Sequence, residues 1–385
     1  MYPGRYAAVA PDRPAVHEAA TGRTLTYREL EDASVRFAHW LRAHDVGKGD
    51  HIAVVTVNDA TAFELYWGAV RSGVYVTFVN THLAPVEAAY IVDDCDAKVL
   101  VVSAPLAELA EAIAPLTPKV THRVAFGGEV PGHLVYEEEV AGLPVTPMAD
   151  QPRGSDMLYS SGTTGRPKGI KPALSGAQVG DEPGPPLLKQ VRRFGFDENT
   201  VYLSPAPIYH AAPLRYGVST QALGGTVVLM ERFDPEHSLA CIERYRVTHS
   251  QWVPTHFVRL LKLPARPGAL RPVVDAVRTA FGGAVPGRGQ AGTHAVVGRD
   301  RLRVLFRDRG DRQYSRHPAG MARQTWNGRE DRRPGHTRAG ADLRRERQPA
   351  AHGGDRHRLL RAGRLLVRVP QGSGENGIHQ APLRG

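Results

Sequence analysis

A chain of 385 residues, 42% hydrophobic and 23% charged, has room for two or three domains and is not fibrous in composition. Two cysteines, Cys95 and Cys241, exclude a disulfide framework and suit a reducing, cytoplasmic setting. Neither a transmembrane run nor a signal peptide after Met1-Tyr2-Pro3-Gly4-Arg5 is expected. The net charge of +10 is uneven. Residues 265–385 hold 25 arginines, no lysine and 10 acidic residues, a net +15, while residues 1–264 carry −5.

Residues 1–150 alternate helical and extended patterns. Thr26-Tyr27-Arg28-Glu29 has the form of a capping box, and Leu30, Ser34, Phe37 and Leu41 follow at helical spacing. Gly47 and Gly49 break the chain before Ile52–Val55, a buried strand. Phe63 to Val70 reads as helix. Val74–Val79 is β-branched and aromatic, so strand. Pro85 opens a helix through Ile91, and Lys98–Val102 is another strand. Helices alternating with strands predict an α/β fold.

Tyr159-Ser160-Ser161-Gly162-Thr163-Thr164-Gly165-Arg166-Pro167-Lys168-Gly169 then concentrates hydroxyls and glycines ahead of one lysine. Glycine lets backbone N–H groups approach a ligand closely, hydroxyls add donors, and lysine is a compact point charge for phosphate oxygens. This is the chemistry of a polyphosphate loop. It is not a Walker loop, because Gly169 rather than a hydroxyl residue follows Lys168, and Pro167 opposes a helix.

Residues 175–195 mix Gly, Pro, Asp and Glu and read as loop. Val201–Pro207 leads into Ile208-Tyr209-His210-Ala211-Ala212-Pro213. Gly224–Met230 reads as a turn and a buried strand. Ile242–Tyr245 reads as an amphipathic helix, and Thr248–Thr255 precedes a helix from Phe257 to Leu261.

The run Ser160–Gly169 resembles the phosphate-binding signature of the adenylate-forming enzymes: acyl-CoA synthetases, luciferases and peptide-synthetase adenylation domains. The resemblance spans residues 1 to about 264, with Leu25-Thr26-Tyr27 and Gly47-x-Gly49-Asp50 adding weaker matches. The stretch from Tyr202 to Leu261 looks most like fatty-acyl-CoA synthetases. It implies the N-terminal part of that fold, with ATP, Mg²⁺ and coenzyme A as cofactors and a small carboxylic acid as substrate. By resemblance, Ser160, Ser161, Gly162, Thr163, Thr164, Gly165 and Lys168 hold the nucleotide, and Lys168 and His210 are catalytic. Tyr209, His210, Trp252 and Thr255 line the acid pocket. A ligase for an aromatic or other small acid is the alternative. No protein metal ligand is assigned, and the oligomeric state is left open.

After Pro264 the family pattern is expected to stop. The family's Tyr-x-Ser/Gly-x-Thr-Glu element, ribose aspartate and C-terminal lid are not readable. Codons permitted for Val304–Asp311, shifted by one base, read Tyr-Tyr-Ser-Gly-Thr-Glu-Ala-Ile. The same shift gives family-like segments at 267–275 and 352–361. A reading-frame slip near 264–267 accounts for all three and for the arginine-rich composition. Residues 265–385 are therefore expected to be a mostly disordered basic tail, without specific nucleic-acid binding. The tail has no zinc spacing, aromatic ribonucleoprotein pattern or helix-turn-helix signal. The chain as written is expected to be inactive.

Overall fold

Apolar runs placed between helices fold here into parallel sheets buried on both faces. A computed structural model describes residues 2–160 and 166–263, and the backbone of four short strands between 295 and 324. In chain order the first part contains α1 (Gly4–Val9), β1 (Pro14–Glu18), β2 (Thr24–Thr26), α2 (Tyr27–Ala43), β3 (His51–Val55), α3 (Thr61–Arg71), β4 (Tyr75–Phe78) and α4 (Pro85–Asp94). Then follow β5 (Ala97–Ser103), α5 (Ala107–Ile113), β6 (His122–Phe126), β7 (Leu134–Val135), α6 (Tyr136–Ala141) and β8 (Ser155–Asp156). The next elements are β9 (Leu158–Ser160), β10 (Lys168–Ile170), α7 (Pro186–Arg193), β11 (Val201–Ser204) and α8 (Ala211–Ala222). After them come β12 (Thr226–Leu229), α9 (Pro235–Arg244), β13 (His249–Trp252) and α10 (Pro254–Leu261).

One sheet has the order β7-β6-β5-β3-β4-β8 and every pairing in it is parallel. The other has the order β14-β13-β11-β12-β1-β2, where β14 is Ala295–Gly298. Its centre is parallel and both edges are antiparallel. The period of two along each strand sorts side chains between layers. Ile52 and Val54 join a central core with Phe37, Phe63, Leu214, Tyr202 and Val227. Ala53 and Val55 face the opposite way, onto Ile91 and Ile113 of α4 and α5. Leu203 and Val228 pack outward against Leu239 and Phe257 of α9 and α10. The layers therefore run helix, sheet, helix, sheet, helix, with α2, α3 and α8 in the middle.

The capping box at Thr26 forms: its hydroxyl accepts from Glu29 N, and Glu29 accepts from Thr26 N at 2.7 Å. One sequence expectation changes, and one helix is new. Residues 175–195 are not all loop, because α7 occupies Pro186–Arg193. Pro186 sits in the first turn, where its missing N–H costs nothing, and Leu188 and Val191 are buried at helical spacing. The helix α8 was not read from the sequence at all.

β15 (Val304–Arg307), β16 (Gln313–Arg316) and β17 (Ala322–Gln324) form an antiparallel meander. These strands and β14 fall within the stretch expected to be mostly disordered. The rest of that stretch lies outside the described residues.

Candidate active site

The strands of both sheets deliver their carboxyl ends to one region, the place where open α/β sheets bind ligands. A cleft of about 600 Å³ opens there. Asn80 follows β4, Ala206 and Tyr209 follow β11, and Gln251 and Val253 mark the end of β13; all line it. Ser160 and the adjacent pair Tyr209 and His210, distant from it in sequence, share its wall.

The glycine-rich segment springs from a hairpin. β9 and β10 pair antiparallel, with Lys168 opposite Ser160 and Gly169 opposite Tyr159. Directly opposed residues project to the same face, so Lys168 shares a face with the cleft-lining Ser160. Ser161, Gly162, Thr163, Thr164 and Gly165 lie outside the described residues. Their flanks are braced by α4. Tyr159 Oη donates to Asp94 Oδ2 at 2.6 Å, and Tyr90 Oη donates to Pro167 O at 3.3 Å. The Arg166 guanidinium stands 5.1 Å from the Tyr90 ring centre. Burial, then the bond to Asp94, raises the Tyr159 hydroxyl pKa, so it remains a donor. Gly169 is closely packed: a Cβ there would overlap Met157 Cε, the flexible end of its side chain, and lie 3.0 Å from Tyr159 Cζ.

The second wall is the turn before α8. Asn58 fixes it with one side chain. Its amide donates to Ala206 O at 3.1 Å and to Met230 O at 2.8 Å, and its oxygen accepts from Ile208 N at 2.8 Å. Tyr209 and His210 follow, their rings 4.5 Å apart. His210 is exposed and serves as the N-cap residue of α8, whose first-turn residues Ala211, Ala212 and Pro213 also line the cleft. Burial raises the Tyr209 pKa, which keeps its hydroxyl protonated. Asn58 was missed by sequence reasoning; its sole cue is its position just after a buried strand.

Two expected pocket residues are not brought to this cleft. Trp252 is 2% exposed and packs with Phe233, His256 and Phe257 on the outer face of β13. Alternation along the strand explains this, since its neighbours Gln251 and Val253 take the cleft side. Thr255 is exposed on α10.

Behind Tyr209 lies a cavity of about 790 Å³ whose wall includes Arg232, Arg259, Glu231 and Asp234 beside Phe233, His82 and His237. The Phe233 ring stacks on His256 at 4.1 Å, and the Arg259 guanidinium lies 4.9 Å from its centre. Burial first, then Arg259, lowers the His256 pKa to about 4. Among the described residues, no group of three or more His, Cys, Asp or Glu could hold a metal ion. No helix among them is long and apolar enough to cross a membrane.

A family model described as AMP-binding enzyme matches residues 4–300. The match runs past residue 264, so the resemblance reaches further than the sequence reading placed it. The 3-hydroxybenzoate–CoA/4-hydroxybenzoate–CoA ligase of Thauera aromatica is 28% identical over 247 residues, covering 62% of this chain and 46% of that protein. The long-chain-fatty-acid–CoA ligase of Thermus thermophilus is 30% identical over 248 residues, covering 64% and 45%. The chain thus spans about half the length of the curated relatives it matches. Among solved structures, the inhibitor-bound N-terminal domain of FACL13 from Mycobacterium tuberculosis aligns with a TM-score of 0.59. It is 25% identical and covers 70% of this chain and 66% of that one.

Proposed function

The chain belongs to the AMP-binding enzyme family, and we propose that it carries the acid-activating half of an acid–CoA ligase. The observation that carries this reading is the shared cleft. The hairpin that launches the glycine- and hydroxyl-rich loop and the Tyr209–His210 turn face one volume of about 600 Å³. ATP phosphates at the loop and Lys168 would then lie beside an acid held at Tyr209 and His210. Such juxtaposition is what carboxylate attack on the α-phosphorus needs, with pyrophosphate leaving. The thiol of coenzyme A then displaces AMP from the acyl-adenylate carbonyl, forming the thioester and completing the ligase reaction. The neighbouring cavity, where Arg232 and Arg259 stand alongside Glu231 and Asp234, offers two guanidinium groups for the phosphates of coenzyme A. Among the described residues, no group of three or more His, Cys, Asp or Glu is placed to hold Mg²⁺.

The fatty-acid reading rests on the stretch from Tyr202 to Leu261 and on the Thermus relative. The aromatic-acid reading is favoured by the Thauera relative. We also propose that the frame slips and that the chain as written does not turn over. The shifted segments at 267–275, 304–311 and 352–361 support a slip near 264–267. Sequencing the DNA across codons 262–311 tests this directly. One or more single-base insertions or deletions are expected there. An uninterrupted frame that cannot encode Thr-Glu after a one-base shift contradicts the slip. The functional reading is tested in the frame-restored gene by His210→Ala, which should slow acid-dependent pyrophosphate release by about tenfold or more. An unchanged rate removes His210 from the site.

A further inference from the structure

His122 opens β6, so it lies at the amino end of its sheet, away from the cleft at the carboxyl ends. His44 caps the C-terminus of α2. The two imidazole rings stand 4.7 Å apart with their planes at 78°. Trp40, one turn back on α2, stacks on His44 at 4.0 Å and restrains its ring. Glu139, whose Oε2 accepts from Trp40 Nε1 at 2.8 Å, places a carboxylate near His122.

Hydrogen bonds fix both tautomers. His44 Nδ1 lies 2.8 Å from Trp40 O, and a carbonyl can only accept, so Nδ1 carries the proton. Thr121 Oγ1 donates its one proton to Lys98 O at 3.0 Å. It therefore accepts from His122 Nδ1, at 2.9 Å. Each neutral ring keeps its lone pair on Nε2. Metal-binding histidines adopt this arrangement, with the second nitrogen donating to an oxygen that orients the ring. The spacing also fits. A ring nitrogen lies about 1.2 Å from its ring centre, and a metal about 2.0 Å beyond it. Centres 4.7 Å apart then subtend roughly 95° at a shared ion. That is the cis angle of a square-planar or tetragonal ion, the geometry of Cu²⁺ and Ni²⁺.

We propose that His44 and His122 form a binding site for a divalent transition-metal ion, Cu²⁺ ahead of Ni²⁺ and Zn²⁺. The two imidazoles are the protein ligands, and water completes the coordination. The ion ties the end of α2 to the first residue of β6, so it acts on stability and not on chemistry in the cleft.

Calorimetric titration of the full chain with copper(II) sulfate, at about pH 7.5 where ordinary histidine is neutral, tests this. The chain holds 17 histidines, so variants carry the assignment. His44→Gln and His122→Gln should each weaken Cu²⁺ binding by about tenfold or more. His39→Gln, on the same helix with its Nε2 already bonded to Thr146 O, should leave it unchanged. His122→Ala repeats the test should a glutamine variant misfold. Pulsed electron paramagnetic resonance of the copper-loaded wild type should show the remote nitrogens of two imidazoles, and either variant only one. Cu²⁺ should raise the melting temperature of the wild type more than that of the variants. Unchanged Cu²⁺ affinity in both His44→Gln and His122→Gln overturns the proposal. An equal loss in His39→Gln overturns it as well, as does a two-imidazole signal that survives in both variants.

Discussion

Asn58 concentrates three hydrogen bonds on the turn that presents Tyr209 and His210. Replacing it by alanine leaves two carbonyls and one N–H to find water or stay unpaired. A loss of about 2–3 kcal/mol is expected, measured by urea unfolding. Asn58→Asp should recover part of it, since a carboxylate can still accept from Ile208 N but cannot donate. Equal stability of wild type and Asn58→Ala would contradict the pinning role. Glu64 couples stability to pH. Burial raises its pKa from 4.5 to about 7, against the opposing pull of Arg23 at 3.7 Å. The folded protein therefore prefers the protonated acid more than the unfolded chain does. The stability from this group is complete below about pH 4.5, falls as pH rises, and is gone above about pH 7. Glu64→Gln should remove that slope, stabilising the protein relative to wild type at pH 8 but not at pH 4. A difference independent of pH would show that Glu64 does not titrate in this window. Lys168 and Thr164 are expected to meet ATP phosphates. Lys168→Ala and Thr164→Val in the frame-restored enzyme should mainly slow acyl-adenylate formation, and wild-type pyrophosphate release from both would remove the assignment.

Hairpin β9–β10 shows an element shaped against its own propensities. A glycine in a strand usually weakens it, and valine usually strengthens it. At position 169 a Cβ would overlap Met157 Cε, a flexible end that can swing aside, and press at 3.0 Å on the Tyr159 ring. That ring is held to Asp94 by its hydroxyl, so Gly169→Val should open the hairpin. The Ile170 amide, in a three-residue strand, should lose hydrogen-exchange protection by about tenfold or more. Retained protection would mean that the neighbours yield without cost. The buried strands β3, β4 and β5 were legible because parallel strands covered on both faces are continuous apolar runs. Tyr209 and His210 were legible through the surrounding pattern. Trp252 was not placed correctly: its burial is plain from its type, but which face it takes depends on strand phase, fixed by pairing with β11. α7 was hidden by its prolines and its basic residues, and α8 by a proline and a glycine within its span. Asn58 was invisible because its partners, Ala206, Ile208 and Met230, are brought to it only by the packing of two sheets.

At the scale of the molecule, the two sheets bring the carboxyl ends of their strands together, and the site is assembled from segments that no local reading joins. The fold class could be read from alternation alone. The division into two sheets around a shared helical layer could not, since crossover order leaves no periodic trace. The central claim is that this cleft activates a carboxylic acid. It is tested most directly by acid-dependent pyrophosphate release, with ATP, Mg²⁺ and either dodecanoate or benzoate, comparing the frame-restored enzyme, its Lys168→Ala variant and the chain as written. Release from the restored enzyme that requires the acid, falls about a hundredfold in Lys168→Ala and is absent from the chain as written is the predicted result. A restored enzyme that releases no pyrophosphate with either acid, or full release by the chain as written, would contradict it.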